Sequence, residues 1–335
     1  MDKCYVVFGN SSEWLDCSLG SSEKSGLILF NGTFPCKSGF LTKLSKLVFY
    51  KIKASFLKKM CFFFFASVIR KNRKKEVVII IYDWHILGND ILFLRYIRKK
   101  YPTIRLVYLF TNVVKHSGAN KNSFADKLLS YYDLVYAFDP IDSEKYGFHY
   151  TQLIYNAIDL SKGTIAPPVL DAFYVGKAKD RLETLYKIYD KLLLLGLNIS
   201  FFICEVPEDY KKAETKINYN QYLNYKEIIE RIKSSKCIID VVQGDSCGLT
   251  IKVCEAVIFD KLLITTNKRI VDEPFYNKDY ILVIDDKCVI SDSFFKNSSR
   301  VKYSEKDKYY FSSMRFIEQL DNDLGSVQTV SQHIE

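Results

Sequence analysis

A short cationic stretch in the second half of the chain has the residue types and spacing to hold phosphate groups. An apolar run ends at Val175, Gly176 follows as a turn residue, and Lys177, Lys179 and Arg181 come directly after it. A helical pattern then begins. Parallel α/β sheets bind ligands at the carboxyl ends of their strands, and the first turn of a helix carries free N–H groups. We therefore expect a diphosphate to bind here.

A second stretch repeats the pattern of strand, polar loop and helix. It reads Val-Gln-Gly-Asp-Ser-Cys-Gly-Leu-Thr-Ile-Lys-Val-Cys-Glu over residues 242–255. The loop offers Gln243, the hydroxyl of Ser246 and the close backbone approach that its glycines permit, and Thr250 lies where the helix begins. Glu255 follows roughly 1.5 helical turns later, where its carboxylate is placed to accept hydrogen bonds from ribose hydroxyls. Together the two stretches predict a nucleoside diphosphate site.

These residues resemble the nucleotide-sugar half of the bacterial GT-B glycosyltransferases that build capsular polysaccharide or lipopolysaccharide. The resemblance extends from about Asp133 to Asp286 and rests on three segments: 175–181, 248–256 and 261–267. It implies two Rossmann-like domains with the active site in the cleft between them, and a nucleotide diphosphate sugar, UDP-linked, as the donor. The residues and the resemblance together give the predicted donor-binding set: Gly176, Lys177, Lys179, Arg181, Tyr219, Gln243, Ser246, Gly248, Leu249, Thr250, Lys252 and Glu255.

The resemblance also implies individual roles within this set. Lys177 and Arg181 neutralise the donor diphosphate, together with the backbone and hydroxyl of Thr250. Lys252 adds charge, and Glu255 binds the ribose. No Asp-x-Asp motif presents itself as a metal site, so we expect no metal and no cofactor, because lysine and arginine stabilise the leaving diphosphate electrostatically.

The chain departs from the pattern at one position. Many retaining GT-B enzymes carry a glutamate eight residues before the ribose-binding one, and this chain has Cys247 there. The choice between retention and inversion and the contacts to the sugar therefore stay open.

Polar residues after two apolar runs in the first half of the chain are candidates for catalysis. Asp83 and His85 follow the run 77–82, and His116 follows the run 106–110. A general base that takes a proton from an acceptor hydroxyl is typically an Asp or a His at such a position. We predict Asp83, His85 and His116 as catalytic candidates, for an inverting base or for positioning the acceptor. Each is also compatible with a purely structural role.

The elements that must position these residues alternate between strands and helices in two blocks. Strands buried on both faces and separated by helices predict parallel sheets with crossover helices. The segment 159–169 contains Gly163 and Pro167-Pro168, which cannot continue a helix or a central strand. We therefore predict an acceptor-binding domain over 1–160, a nucleotide-sugar-binding domain over 170–320 and a tail over 321–335.

A basic segment over 41–75 gives the chain its net charge of +9, because it holds eleven Lys or Arg and no acid. Apolar residues recur in it at helical spacing, including Leu44, Ile52 and Phe63, and its longest apolar run is too short to span a bilayer. A basic helix with an aromatic face suits an anionic membrane surface. We predict peripheral attachment to the inner face of the cell membrane, and a solvated domain helix is the alternative.

Other functional classes fit the residues less well. The nine cysteines form no C-x-x-C pair and several lie in apolar runs, as expected for reduced thiols in the cytoplasm. The amino terminus shows no secretion signal. Nucleic acid binding by the basic segment is disfavoured because its aromatics cluster as a block. The function predicted is sugar transfer to a lipid-linked or glycan acceptor in surface polysaccharide biosynthesis. A sugar-nucleotide epimerase and a non-catalytic nucleotide- or nucleic-acid-binding protein remain alternatives.

Overall fold

The structure is a computed structural model that describes residues 3–9, 27–31, 58, 62–63, 66–83, 85, 87–114, 122–155, 169–213, 215–244 and 246–326. The chain divides into two compact units. The first comprises Met1–Asn156 with Ser313–Glu335, and the second comprises Ala157–Ser312.

The strands are β1 (Lys3–Gly9), β2 (Leu27–Asn31), β3 (Glu76–Tyr82), β4 (Arg105–Leu109), β5 (Leu134–Ala137), β6 (His149–Tyr150), β7 (Leu170–Lys177), β8 (Ile199–Cys204), β9 (Asn218–Tyr219), β10 (Ser235–Asp240), β11 (Leu262–Thr265) and β12 (Ile281–Val283). The helices are α1 (Ser67–Lys71), α2 (Ile91–Lys100), α3 (Asn122–Tyr131), α4 (Pro140–Tyr146), α5 (Leu182–Leu194), α6 (Tyr225–Lys233), α7 (Ile251–Ile258), α8 (Asp292–Phe295), α9 (Glu305–Tyr309) and α10 (Ser313–Ser326).

The first unit is built on a parallel sheet of six strands in the order β2-β1-β3-β4-β5-β6. Alternate residues of β1 enter different cores: Val6 and Phe8 belong to one buried cluster, and Tyr5 and Val7 to the other. Both faces of this sheet are therefore covered, which is why its strands are nearly continuous apolar runs.

Helix α10 covers one face of the first sheet. Its apolar stripe of Phe316, Ile317, Leu320 and Leu324 packs into the same cluster as Tyr5 and Val7. This corrects the sequence prediction, which placed residues up to 320 in the second domain and read residues 321–335 as a tail. The helix returns to the first unit because that face of its sheet would otherwise expose its apolar side chains.

The second unit is built on another parallel sheet of six strands, in the order β12-β11-β10-β7-β8-β9. Central strands β7 and β10 lie side by side, with Phe173 opposite Ile238. The loops that follow them therefore leave the sheet at neighbouring points of its carboxyl edge, which is where the sequence placed the phosphate-binding stretches. The expected fold, two α/β domains with parallel sheets, is confirmed.

The basic segment lies mostly outside the described residues, and Leu44 and Ile52 are among those not described. Phe62 is buried, with its ring 5.3 Å from that of Phe93. Phe63 is 51% exposed, and the guanidinium of Arg70 lies 3.9 Å from its ring centroid. Among the helices within the described ranges, none combines the length and the apolar character that a membrane span requires.

Candidate functional site

Hydrogen bonds join the loop after β7 to the loop after β10. The ammonium of Lys179 donates to Oε1 of Gln243 at 2.9 Å, and the backbone N–H of Gly244 donates to Oδ2 of Asp180 at 3.1 Å. Lys179 adopts the left-handed backbone conformation, with φ of 46°. Its pKa is lowered, first by burial and then by the nearby Arg181. The two loops that the sequence predicted to lie together are thus joined by specific hydrogen bonds. The part of Asp180 in these contacts was not predicted.

Arg181 holds the same two loops together through its guanidinium. Nη1 donates to the carbonyl of Val241 and Nη2 donates to the carbonyl of Lys177, both at 2.6 Å. The terminal nitrogens are therefore committed to backbone oxygens, and the side chain acts as a clamp between the loops. The sequence predicted its charge at this edge of the sheet but not this clamp.

Lys177 forms an ion pair with Glu205, the residue that follows β8. Both side chains are about half exposed. The hydrogen bond with Glu205 is the main cause of the raised pKa of Lys177, so its ammonium stays charged. Glu205 adopts the left-handed conformation, with φ of 59°. Lys177, which the sequence predicted to bind the diphosphate, is thus paired with the carboxylate of Glu205 in this conformation.

Thr250 caps the amino terminus of α7, where the sequence predicted a helix start. Its Oγ1 accepts a hydrogen bond from the backbone N–H of Lys252 and donates to Oδ1 of Asp240 at 2.9 Å. The second oxygen of Asp240 accepts from the hydroxyl of Thr265, also at 2.9 Å. Because the single proton of the Thr250 hydroxyl goes to Asp240, that hydroxyl does not donate to a phosphate in this arrangement. The sequence did not single out Asp240, which is the buried acceptor at the end of β10.

Glu255 lies on α7 and is only 3% exposed. Its Oε1 accepts a hydrogen bond from the hydroxyl of Tyr225 at 2.9 Å. Burial raises the pKa of Glu255 to about 7, and the neighbouring Lys252 and the Tyr225 hydrogen bond oppose that rise. Burial also lowers the pKa of Lys252. A carboxylate held beside a lysine ammonium and a phenol is suited to accept hydrogen bonds from ligand hydroxyls.

A cleft of about 560 Å³ opens at the carboxyl ends of β10, β11 and β12. Three members of the predicted donor set line it, Arg181, Gln243 and Ser246, as does Cys247. The sequence did not predict its remaining lining residues, which are Asp180, Thr184, Lys187, Val241, Val242, Gly244, Thr266, Asn267, Lys268, Arg269, Ile284, Asp285, Asp286 and Cys288. The 560 Å³ cleft has the size of a small-molecule site.

Other members of the predicted set lie elsewhere in the second unit. The carbonyl of Gly248 accepts a hydrogen bond from Nδ2 of Asn267 at 3.3 Å, and Leu249 is buried. Tyr219 lies on edge strand β9, where its hydroxyl bonds that of Tyr186 at 3.1 Å. Tyr219 does not line the 560 Å³ cleft, because β9 and β12 occupy opposite edges of the sheet.

Two of the three catalytic candidates lie at the carboxyl edge of the first sheet. Asp83 follows β3 and is nearly buried, and its Oδ1 accepts from the hydroxyl of Thr111 at 2.9 Å. His85 is 1% exposed, and its Nδ1 accepts from the backbone N–H of Leu87 at 3.3 Å. A neutral His85 therefore carries its proton on Nε2, so it is poorly placed to act as a base. His116 lies outside the described residues.

Within the residues that the structure describes, no group of three His, Cys, Asp or Glu side chains is placed to hold a metal ion. Six cysteines that are described are free, and all of these except Cys247 are buried. Metal-independent chemistry stays a prediction.

Comparisons with known proteins identify the architecture. No protein-family model matches the chain, and no curated protein matches it. The catalytic domain of starch synthase IV from Arabidopsis thaliana, solved with ADP and acarbose, is similar with a TM-score of 0.55 at 8% identity over 99% of both chains. An α,α-trehalose 6-phosphate synthase from Burkholderia multivorans reaches a TM-score of 0.56 at 11% identity, over 97% of this chain and 99% of that one.

A UDP-forming α,α-trehalose-phosphate synthase from Burkholderia xenovorans gives a TM-score of 0.50 at 11% identity, over 98% of this chain and 99% of that one. These solved proteins are GT-B glycosyltransferases. The chain has the GT-B fold. At such low identities the likeness establishes the fold, and function has to be inferred from the site itself.

Proposed function

We propose that this GT-B chain transfers a sugar from a nucleoside diphosphate sugar, UDP-linked, to a lipid-linked or glycan acceptor in surface polysaccharide biosynthesis. One observation carries the proposal: the two polar loops after β7 and β10 are hydrogen-bonded to each other beside the 560 Å³ cleft. Arg181 bonds Val241 just after β10, and Asp240 at the end of β10 bonds Thr250 at the amino terminus of α7. Cations and the backbone N–H groups of a helix start favour a diphosphate.

The proposed chemistry needs the leaving diphosphate to be stabilised. Lys177 and Lys179 supply ammonium groups, and Arg181 keeps its charge at the same edge although its terminal nitrogens are bound to backbone carbonyls. Glu255 is the residue proposed to bind the ribose. The solved neighbours include one with bound ADP and one that forms UDP, so both nucleotides are suitable first probes.

Nucleotide binding is the direct test. Titration calorimetry with UDP and ADP is expected to show binding of at least one of them, and Lys179→Ala is expected to weaken it about tenfold, the usual effect of losing one hydrogen bond to a charged group. Lys278→Ala is the matched control, because Lys278 is exposed and precedes β12. It therefore lies at the amino end of that strand, whereas the cleft opens at the carboxyl ends. If neither nucleotide binds, the proposed function is wrong.

Asp83 is the proposed base in the first unit. A carboxylate that follows a strand at the carboxyl edge of the sheet is a typical general base. Oδ1 of Asp83 accepts from Thr111, whereas Nδ1 of His85 accepts from the backbone N–H of Leu87. With the donor identified by the binding test, Asp83→Asn is expected to lower turnover at least tenfold while leaving donor affinity unchanged. His85→Gln is the comparison variant. Equal turnover for Asp83→Asn and wild type would place the base elsewhere.

The proposed lipid-linked acceptor fits a membrane-attached enzyme. Phe63 is exposed, and Lys71, Arg73, Lys74 and Lys75 form an exposed basic turn before β3. Each such cation contributes about 1 kcal/mol near an anionic surface. Vesicles with anionic lipid are expected to float the protein, and neutral vesicles are not. Charge reversal of the four basic residues of this turn should abolish flotation, and unchanged flotation would contradict the proposal.

A further inference from the structure

The phenol of Tyr174 is buried near the loop proposed to bind phosphate and has no hydrogen-bond partner among the described residues. The hydroxyl of Tyr174 on β7 is inaccessible to solvent and bonds to no group among the described residues. Leaving a buried hydroxyl unpaired is unfavourable, and phenylalanine would fill the same space without that cost. Burial raises the pKa of Tyr174 to about 12, so the hydroxyl keeps its proton and acts as a donor.

The hydroxyl lies at the predicted ligand edge of the sheet. A Cβ added to Gly176 would come within 2.8 Å of the Tyr174 hydroxyl oxygen. Residues 174 and 176 project from the same face of the strand, so the absence of a side chain at Gly176 makes room for the hydroxyl at the end of β7. Lys177, the first of the predicted phosphate-binding cations, is the next residue and ends β7.

Two further hydrogen-bond donors, Lys252 and Arg181, lie near this hydroxyl. The ammonium of Lys252 lies 5.5 Å from the Tyr174 ring centroid, and the carboxylates of Asp240 and Glu255 act on it electrostatically. Nε of Arg181 is buried without a partner in the described part of the chain. Each oxygen of Asp240, the nearby carboxylate, already accepts a threonine hydroxyl. Glu255 accepts a hydrogen bond from Tyr225 on Oε1. What the Tyr174 hydroxyl and Nε of Arg181 lack among the described residues is a hydrogen-bond acceptor.

We propose that Tyr174 is a ligand-binding residue, whose hydroxyl donates to a phosphate oxygen of the nucleoside diphosphate beside Lys252. This inference rests on the proposed function and adds to it a contact from inside the sheet. In this conformation protein atoms cover the hydroxyl, so neighbouring groups have to move when the phosphate binds. The phosphate then satisfies the hydroxyl, the ammonium and the guanidinium edge together.

The test compares two Tyr→Phe variants in the same unit. Tyr174→Phe removes the proposed donor. Tyr303→Phe is the matched control, because Tyr303 is equally buried, its hydroxyl also lacks a partner among the described residues, and its ring packs at 5.5 Å on Tyr280 just before β12. Both variants are measured by thermal unfolding without ligand and by titration calorimetry with UDP, ADP and inorganic pyrophosphate.

Tyr174→Phe is expected to keep or raise the midpoint of thermal unfolding and to weaken nucleoside diphosphate binding about tenfold, as losing a hydrogen bond to a charged group does. Tyr303→Phe should leave affinity unchanged. Wild-type affinity in Tyr174→Phe overturns the inference alone. A clear drop in its unfolding midpoint also overturns it, because the hydroxyl then has a structural partner. If wild type binds none of the three probes, the proposed function falls and this inference with it.

Discussion

Replacing Glu255 by glutamine removes a buried carboxylate and keeps its shape and its bond from Tyr225. The ordinary pKa of a glutamate side chain is 4.5, and burial raises the pKa of Glu255 on α7 to about 7. Because the folded chain then binds the proton more tightly than the unfolded chain, Glu255 favours folding least above pH 7. At about 1.4 kcal/mol per pKa unit, this rise corresponds to roughly 3 kcal/mol.

The consequence is a specific pH dependence. Below about pH 4.5 the group is protonated in both states, and wild type loses no stability through it. As the pH rises from there through 7, the folded chain has to ionise a buried carboxylate, and the stability of wild type falls relative to Glu255→Gln. The free energy of unfolding of the variant minus that of wild type should therefore grow by roughly 3 kcal/mol between pH 5 and pH 8.

Denaturant unfolding at pH 5, 6, 7 and 8 measures this difference directly. Glu230→Gln is the control, because Glu230 lies exposed on α6 of the same unit, and its difference from wild type should stay constant across the series. A difference for Glu255→Gln that is equally flat would refute the reasoning. Nucleotide binding adds a second readout: the more stable Glu255→Gln chain should bind UDP or ADP more weakly, since the proposed ribose acceptor has lost its charge.

Three further substitutions test the scaffold. Asp240→Asn removes the shared acceptor of two threonine hydroxyls and should lower the free energy of unfolding by about 1–3 kcal/mol; an unchanged value would exclude that carboxylate as the structural centre of the loop. Gly176→Ala brings a Cβ within 2.8 Å of the Tyr174 hydroxyl and should cost about 1–3 kcal/mol in urea unfolding, with partial rescue by Tyr174→Phe; no rescue would locate the strain elsewhere. Arg98→Met breaks the buried pair with Asp133 at 2.9 Å and should cost about 3–5 kcal/mol by calorimetry, so a loss under 1 kcal/mol would contradict the pairing.

Much of the fold was predictable because both sheets are parallel and buried. The apolar runs 77–82 and 106–110 match β3 and β4 to within one residue at each end, since an apolar run between helices leaves few alternatives. The two-residue strands β6 and β9 were missed, because so short a strand leaves no periodic pattern. Helix α10 was assigned to the wrong unit, because its apolar stripe shows that it packs on a sheet but not on which one.

Site residues were predictable where their role follows from their position at a strand end or helix start. They were not predictable where the role depends on contacts with residues far away in the sequence. The cations after β7 and the cap at Thr250 follow from residue type at a strand end and a helix start. The commitment of Arg181 to the carbonyls of Val241 and Lys177 does not, because one of those partners is sixty positions away. Asp240 was missed for a related reason. The sequence shows a carboxylate at the end of an apolar strand, but only the structure shows that its two oxygens accept from the hydroxyls of Thr250 and Thr265.

Hydrogen-bond satisfaction separates the structural residues of this site from those proposed to bind ligand. Asp240 has a donor on each oxygen, and its burial is fully compensated within the protein. Glu255 is equally buried, yet burial raises its pKa, and the Tyr174 hydroxyl has no partner in the described chain. Both of the latter lower stability in a position where an apolar residue would serve the fold better. We propose that the nucleotide completes the hydrogen bonds of these two groups, because Glu255 lies on α7 and Tyr174 lies beside Lys252 in the first turn of that helix.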